Sequence, residues 1–325
     1  MTRCWLVTDA AAGNQRQAAA LARAMGLEAE AWTVQLRAPW SWWAPRFERH
    51  AAGGLPPAFV RAAREAPPEL AIGCGRAGAL ATAWLRATSG CYAVQILDPR
   101  ANRGAWDLVV TPAHDALRGP DTINSIGALN AITPARLAAA ALEHATLARL
   151  PAPRTAVLVG GSTRAARLDA RWLASLRDIL GAWQVRDGGS FLVSASRRTP
   201  APLVARLREA FATWPGTLWA PGDAGANPYL GFLGHAQRVV VSPDSVNLLS
   251  EACATGRPVY VHAPRGVRGK LARFHRELLE TGHIRPLRAA LDAWSPEPLR
   301  ETEAIGAEVL RRFHQWRDAA AREQR

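Results

Sequence analysis

The sequence predicts an α/β protein made of two Rossmann-like, doubly wound parallel-sheet domains and a last helix. Three observations carry this. Short apolar runs without polar alternation recur along the chain with helical stretches between most of them, the rhythm of βαβ units around parallel sheets covered on both faces. The rhythm stops at Leu150-Pro-Ala-Pro153 and restarts at Thr155. The segments that follow the strands are polar and rich in glycine, as expected where open parallel sheets bind ligands.

In the first half the strand-like runs are 4–8, 31–36, 70–73, 92–97 and 108–110. Helical patterns fall at 15–25, 57–65 and 78–88. Thr133-Pro134 supplies an N-cap and an N1 proline for a helix expected to reach about residue 148. The domains are therefore drawn as 1–150, 151–295 and a helical segment 296–325. In the second half the strand-like runs are 155–159, 191–193, 217–219, 239–241 and 259–261. One helix buries Leu173, Leu176, Leu180 and Trp183, and the next buries Leu203, Leu207, Phe211 and Trp214. Ser295-Pro296 opens the last segment, whose stripe is Ile305, Val309, Phe313 and Trp316.

With 325 residues the chain has room for about two domains. Its 49% hydrophobic and 21% charged content is that of a globular protein. No run is long and apolar enough to span a bilayer, and 4–8 is too short for the apolar core of a secretory leader. A cytoplasmic protein is expected. Cys4, Cys74, Cys91 and Cys253 are scattered without metal-ligand spacing, so they read as reduced core thiols and no metal or other cofactor is expected. The formal charge of +13 is spread along the chain without a basic tail, which argues against a specific nucleic-acid partner. Of the 40 basic residues only Lys270 is a lysine, a compact rotatable cation in a chain that otherwise uses arginine.

The stretch VVVSPDSVNLLSEACATGRPVYV, residues 239–261, reads as strand, polar turn, short helix, strand. Asp244 or Ser245 can cap the helix, Val246, Leu249 and Cys253 share its spacing, and Gly256 can end it. Such a turn aims free backbone N–H groups at the carboxyl edge of the sheet, where an anion can be held. Glu251, inside the helix, could accept hydrogen bonds from a ribose diol. An ordinary capped crossover helix with a solvated glutamate has the same local pattern.

Other candidate ligands follow other strands. They are Asp9, Asn14 and Gln17; Arg76; Asp98; Gly160, Gly161 and Ser162; Ser196, Arg197 and Arg198; and Asn247 beside Ser245. Gly160-Gly161-Ser162-Thr163 lacks the spacing of a P-loop or a dinucleotide fingerprint, but its glycines could form an anion nest. With Arg197-Arg198 opposite, the pattern suits a diphosphate. His114, beside Asp115, is the candidate base, and Asp9 is the second.

The segments TDAAAGNQRQAAALARAMG, GCGR, ILDPR, LVVTPAHD, SIGALNAITP, VLVGGST, SASRRTP and the stretch quoted above resemble, in this order, bacterial members of the mitochondrial fission ELM-like family. The resemblance covers Cys4 to about Arg285. A more distant one links SVNLLSEACATGRPVYV to the S-E-x-x-x-x-G-x-P segment of GT-B glycosyltransferases such as that of peptidoglycan synthesis. It implies a GT-B-like fold with two domains facing a cleft and the last helix returning to the first domain. It also implies that Ser245 and Glu251 hold a sugar nucleotide with Gly161, Ser162 and Arg197 nearby. The histidine-bearing first loop of the peptidoglycan enzyme is absent, and Asp9, Asn14 and Gln17 stand there instead. The expected activity is sugar transfer from a nucleoside diphosphate. A scaffold without turnover and a nucleotide-sugar epimerase remain open.

Ala38-Pro39-Trp40-Ser41-Trp42-Trp43-Ala44-Pro45 packs three tryptophans between prolines, with Arg37, Arg46 and Arg49 around them. Two readings are open. The rings fold inward as a plug on the first domain, or Trp40, Trp42 and Trp43 rest peripherally on the inner face of an anionic membrane.

Overall fold

The computed structural model describes residues 2–46, 48–290 and 294–323, and these form two compact units, 1–131 with 301–325 and 132–300. The first unit runs β1 (Cys4–Thr8), α1 (Ala12–Ala24), β2 (Ala29–Thr33), α2 (Trp40–Trp43), α3 (Pro57–Glu65), β3 (Leu70–Cys74), α4 (Gly75–Ser89), β4 (Tyr92–Ile96), β5 (Leu108–Pro112) and β6 (Thr122–Ser125). The second runs α5 (Pro134–Glu143), β7 (Arg154–Val159), α6 (Ala170–Asp187), β8 (Ser190–Ala195), α7 (Ala201–Phe211), β9 (Gly216–Trp219), α8 (Tyr229–His235), β10 (Arg238–Val241), α9 (Val246–Ala254), β11 (Val259–Val261), α10 (Gly269–Glu280) and β12 (Arg285–Pro286). Helix α11 (Thr302–Glu323) belongs to the first unit.

Both sheets have six strands, in the orders β2-β1-β3-β4-β5-β6 and β12-β11-β10-β7-β8-β9. Every pairing is parallel. Strands β3, β4, β5, β8 and β10 are buried at every position, as runs without alternation require. Strands β6 and β12 escape the sequence pattern, because Thr-Ile-Asn-Ser has one large apolar side chain and β12 has two residues.

Helix α5 starts at the expected cap, with the Thr133 hydroxyl accepting from Arg136 N at 3.2 Å and Pro134 at N1. It ends at Glu143, and a 3-10 turn covers Ala145–Arg149. The boundary lies at 131/132 where the sequence suggested 150, because α5 packs against α8 of the second unit and His235 Nε2 meets the Ala141 carbonyl at 3.0 Å. The last helix begins at Thr302 and not near Ser295, since 294–300 has no regular structure and Leu299 N instead donates to the Cys253 carbonyl. Its stripe is as expected. Ile305, Val309 and Phe313 are buried with Leu21, Ala22 and Tyr92, and Trp316 lies against Tyr92 at 5.5 Å. Glu301 ties the helix start to the chain after β6, accepting from Ile126 N at 2.8 Å and Gly127 N at 3.0 Å.

All four cysteines are buried and free. Burial pushes the Cys4 and Cys253 thiols up to about 12 and that of Cys91 to about 11, so none is a thiolate near neutral pH. No helix of the described residues is long and apolar enough to cross a membrane.

Candidate functional site

Strands β10, β7 and β8 are neighbours, so the loops at their carboxyl ends meet. Asp244 organises that meeting. Its buried carboxylate accepts from the Ser242 hydroxyl (2.6 Å), Gly161 N (2.9 Å) and Arg198 Nη2 (2.8 Å). The Ser242 hydroxyl in turn accepts from Gly160 N at 2.8 Å. Thr199 completes the network, its hydroxyl accepting from Ser196 N at 2.9 Å and donating to the Gly160 carbonyl at 2.5 Å.

This arrangement corrects the expected anion nest. The N–H groups of Gly160 and Gly161 are already satisfied inside the protein by Ser242 and Asp244. Glycine is required there for close approach, because a Cβ on Gly160 would collide with the Asp244 carboxylate and one on Gly161 with the Arg198 carbonyl. Ser162 uses its hydroxyl to shape the same loop, accepting from Leu168 N at 2.9 Å. Arg198 pairs with Asp244, and the Ser196 hydroxyl accepts from Arg198 N at 3.2 Å. Asp244 is therefore a buried organiser and not a ligand-facing acid.

Ser245, and not Asp244, caps α9, accepting from Leu248 N at 3.4 Å. Leu249 and Cys253 lie on its buried face, and Gly256 follows in the left-handed conformation at φ 73°. Asn247 in the first turn is half-buried, as is Lys270 at the start of α10. Glu251 is 7% exposed and accepts a hydrogen bond from the Tyr229 hydroxyl at 2.6 Å. It is not the solvated glutamate of the plain crossover reading. Tyr229 was not picked out by the sequence, and only its place at the start of α8 brings it to Glu251. Arg197 is exposed and lines a cavity of about 390 Å³ with Ser196, Thr199, Arg208 and Pro221. It makes no ion pair among the described residues.

Two buried histidines were also missed. His275 of α10 holds the polar turn in place, its Nε2 lying 2.9 Å from the Pro243 carbonyl, a contact that requires the proton on Nε2. His262, one residue after β11, sits between the Ser175 hydroxyl (2.8 Å) and the Trp172 carbonyl (3.2 Å). Burial lowers both to about 4, partly opposed by these carbonyl contacts.

In the first unit, Asp9 accepts from Ala11 N at 3.0 Å and from the Asn14 side-chain amide at 2.9 Å. Gly75, at φ 81°, packs against both side chains, and a Cβ there would overlap the Asn14 amide. Gln17 is buried, because α1 begins at Ala12 and turns that position inward beside Ala18 and Leu21. Arg76 does not face a ligand. Its guanidinium grips the carbonyls of Ala44 (2.8 Å) and Trp42 (3.2 Å). Asp98 accepts from Arg100 N at 2.8 Å and shapes its own turn. His114 and Asp115 share the 3-10 turn after β5, where Asp115 accepts from the Thr111 hydroxyl at 3.4 Å. Of the three tryptophans, Trp40 folds inward over Gly53 and Gly54, while Trp42 and Trp43 are 70% and 53% exposed. The plug reading holds for Trp40 alone.

A family model described as mitochondrial fission ELM1 matches residues 12–313. The mitochondrial fission protein ELM1 of Arabidopsis thaliana is 30% identical over 274 residues, 75% of this chain and 64% of the plant protein. The chain thus spans less than two thirds of that relative's length. An uncharacterized protein of Rickettsia prowazekii is 25% identical over 285 residues, covering 75% of this chain and 79% of the relative. Among solved structures, the UDP-GlcNAc 2-epimerase of Neisseria meningitidis bound to UDP-GlcNAc matches with a TM-score of 0.53 at 10% identity, over 95% of this chain and 100% of that one. MurG of Acinetobacter baumannii matches with a TM-score of 0.53 at 12% identity, over 97% and 95%. At such identities the likeness is one of fold, the GT-B architecture of two parallel sheets with helices. By the family model that runs through both units, this chain belongs to the mitochondrial fission ELM1 family.

Proposed function

We propose that the second unit binds the nucleoside diphosphate of a sugar nucleotide at the carboxyl edge of its sheet, and that the protein transfers the sugar to an acceptor. The observation that carries this reading is Glu251, a buried carboxylate behind a polar strand-to-helix turn, which accepts from the Tyr229 hydroxyl. A carboxylate is acceptor-only, the match for the two hydroxyl donors of a ribose diol. The start of α9 offers helix N–H groups for phosphate, and Arg197 and Lys270 are the candidate cations. A GT-B fold shared with an epimerase bound to UDP-GlcNAc and with MurG supports the same ligand class. His114 is assigned the acceptor proton, with Asp9 second.

The test is a screen of UDP, GDP and ADP sugars by thermal shift, with nucleoside diphosphate release followed in parallel. Binding with release supports transfer. Binding alone supports a scaffold, an altered sugar without release supports an epimerase, and no binding at all removes the reading. Glu251→Ala should weaken nucleoside diphosphate binding by about 1.5–3 kcal/mol, the size of a lost charge-assisted hydrogen bond. Calorimetry that finds unchanged affinity in a folded variant would refute the role of Glu251. Arg197→Ala and Lys270→Ala should weaken diphosphate binding much more than nucleoside binding, since the lost attraction is to charge. Equal losses for the two ligands would remove these residues from the phosphate site. His114→Ala should leave binding intact and slow release.

A further inference from the structure

Trp42 and Trp43 are held outward by the structure around them. Trp40, at the start of the same helical turn, is wedged over Gly53 and Gly54, where a Cβ on either glycine would overlap its ring. From the other side Arg76 fixes the Trp42 and Ala44 carbonyls. Two large apolar rings, 70% and 53% exposed, are thus carried on a braced loop, so little ordering cost remains to be met on docking.

Beside them lies a cavity of about 420 Å³ lined by Arg37, Arg61, Arg64 and Glu65, with Leu55, Pro57 and Val60 as apolar wall. It adjoins the tryptophan turn directly. Gly53 lines the cavity and also carries Trp40, and Arg37 N and O bond Gly54 O (2.9 Å) and Ser41 N (3.1 Å). All three arginines are exposed, and among the described residues none is engaged in an ion pair. Arg46, also exposed, follows the tryptophans.

We propose that this face of the first unit docks on an anionic phospholipid surface, with Trp42 and Trp43 in the interfacial layer and headgroup phosphates in the pocket of Arg37, Arg61 and Arg64. Tryptophan suits the headgroup boundary, where its ring is buried and its N–H stays wet. A guanidinium matches phosphate bidentately, and the apolar wall suits the chain region beneath a headgroup. Exposed rings joined to a pocket with three cations against one carboxylate are complementary to a negatively charged bilayer and not to a neutral apolar partner.

The whole protein is incubated with vesicles of phosphatidylcholine alone and of phosphatidylcholine with phosphatidylglycerol, and cosedimentation is measured at low and high salt. The wild type should pellet with the anionic vesicles at low salt, be released at high salt, and show tryptophan quenching by brominated chains. The double variant Trp42→Ala, Trp43→Ala should lose both signals with an unchanged melting temperature. The triple variant Arg37→Gln, Arg61→Gln, Arg64→Gln should bind on the order of a hundredfold more weakly, at about fivefold per cation near a charged surface. The proposal is overturned if the wild type ignores anionic vesicles, or if the tryptophan variant binds as well as the wild type. It is also overturned if that variant melts early, which would make the rings packing groups. Inorganic phosphate that stabilises the protein while vesicles are ignored would make the pocket a soluble-anion site and equally sink the proposal.

Discussion

Replacing Asp244 with alanine is expected to destabilise the second unit by about 2–6 kcal/mol while leaving its secondary structure content unchanged. The Asp244 carboxylate is fully buried, whereas its ion-pair partner Arg198 is 52% exposed and can turn to water. The loss of the ion pair is therefore the smaller part. The larger part is the Gly161 N–H and the Ser242 hydroxyl, buried donors left without an acceptor at about 1–3 kcal/mol each. Arg198→Ala, which leaves both donors satisfied, should cost much less. Urea unfolding followed by circular dichroism distinguishes the cases, and a midpoint in Asp244→Ala equal to that of Arg198→Ala would show that the carboxylate does not organise the loops.

Acid should weaken the same unit well before its carboxylates protonate. His262 and His275 are 3% and 6% exposed, and their folded values near 4 lie below the ordinary histidine value of 6.5. The unfolded chain binds protons there that the folded chain refuses, so stability is whole above pH 6.5 and falls as the pH drops towards 4. Below 4 both states are protonated and this loss is complete. Each histidine contributes about 3 kcal/mol to the fall, together comparable to the whole stability of a domain. Asp244, across from His275, pulls in the opposite direction by favouring the charged ring. Unfolding free energies measured between pH 7.5 and 4.5 should show uptake of nearly two protons, and the double variant His262→Gln, His275→Gln should flatten that slope. A wild-type curve as flat as the variant's would mean that the rings titrate normally.

Protonation of His275 adds its charge at Nδ1 inside the buried packing beside the turn that precedes α9, and burial of that charge works against the local fold although Nε2 still donates to the Pro243 carbonyl. Nucleoside diphosphate affinity at the proposed site should decline over the same pH window. That decline should disappear in His275→Gln once its own affinity is taken as the reference.

What the sequence determined by itself is local and periodic. The strands β10 and β11 fall at the expected residues, α3 occupies 57–65 as read, Thr133 and Ser245 cap their helices, and Ile305, Val309 and Phe313 form the buried stripe of α11. Each of these follows from residues within a few positions of one another, where side-chain period and capping chemistry act directly. The tertiary structure alone decided which polar groups meet. Gly161 and Asp244 are 83 residues apart, Arg198 and Asp244 46 apart, and Tyr229 and Glu251 22 apart on different helices. The same limit hid the inward turn of Trp40 beside the outward Trp42 and Trp43, and the grip of Arg76 on a loop 32 residues before it. A glycine-rich loop has many backbone N–H groups and no pattern that says where they point. Their direction is fixed by whichever buried acceptor the fold brings within about 3 Å.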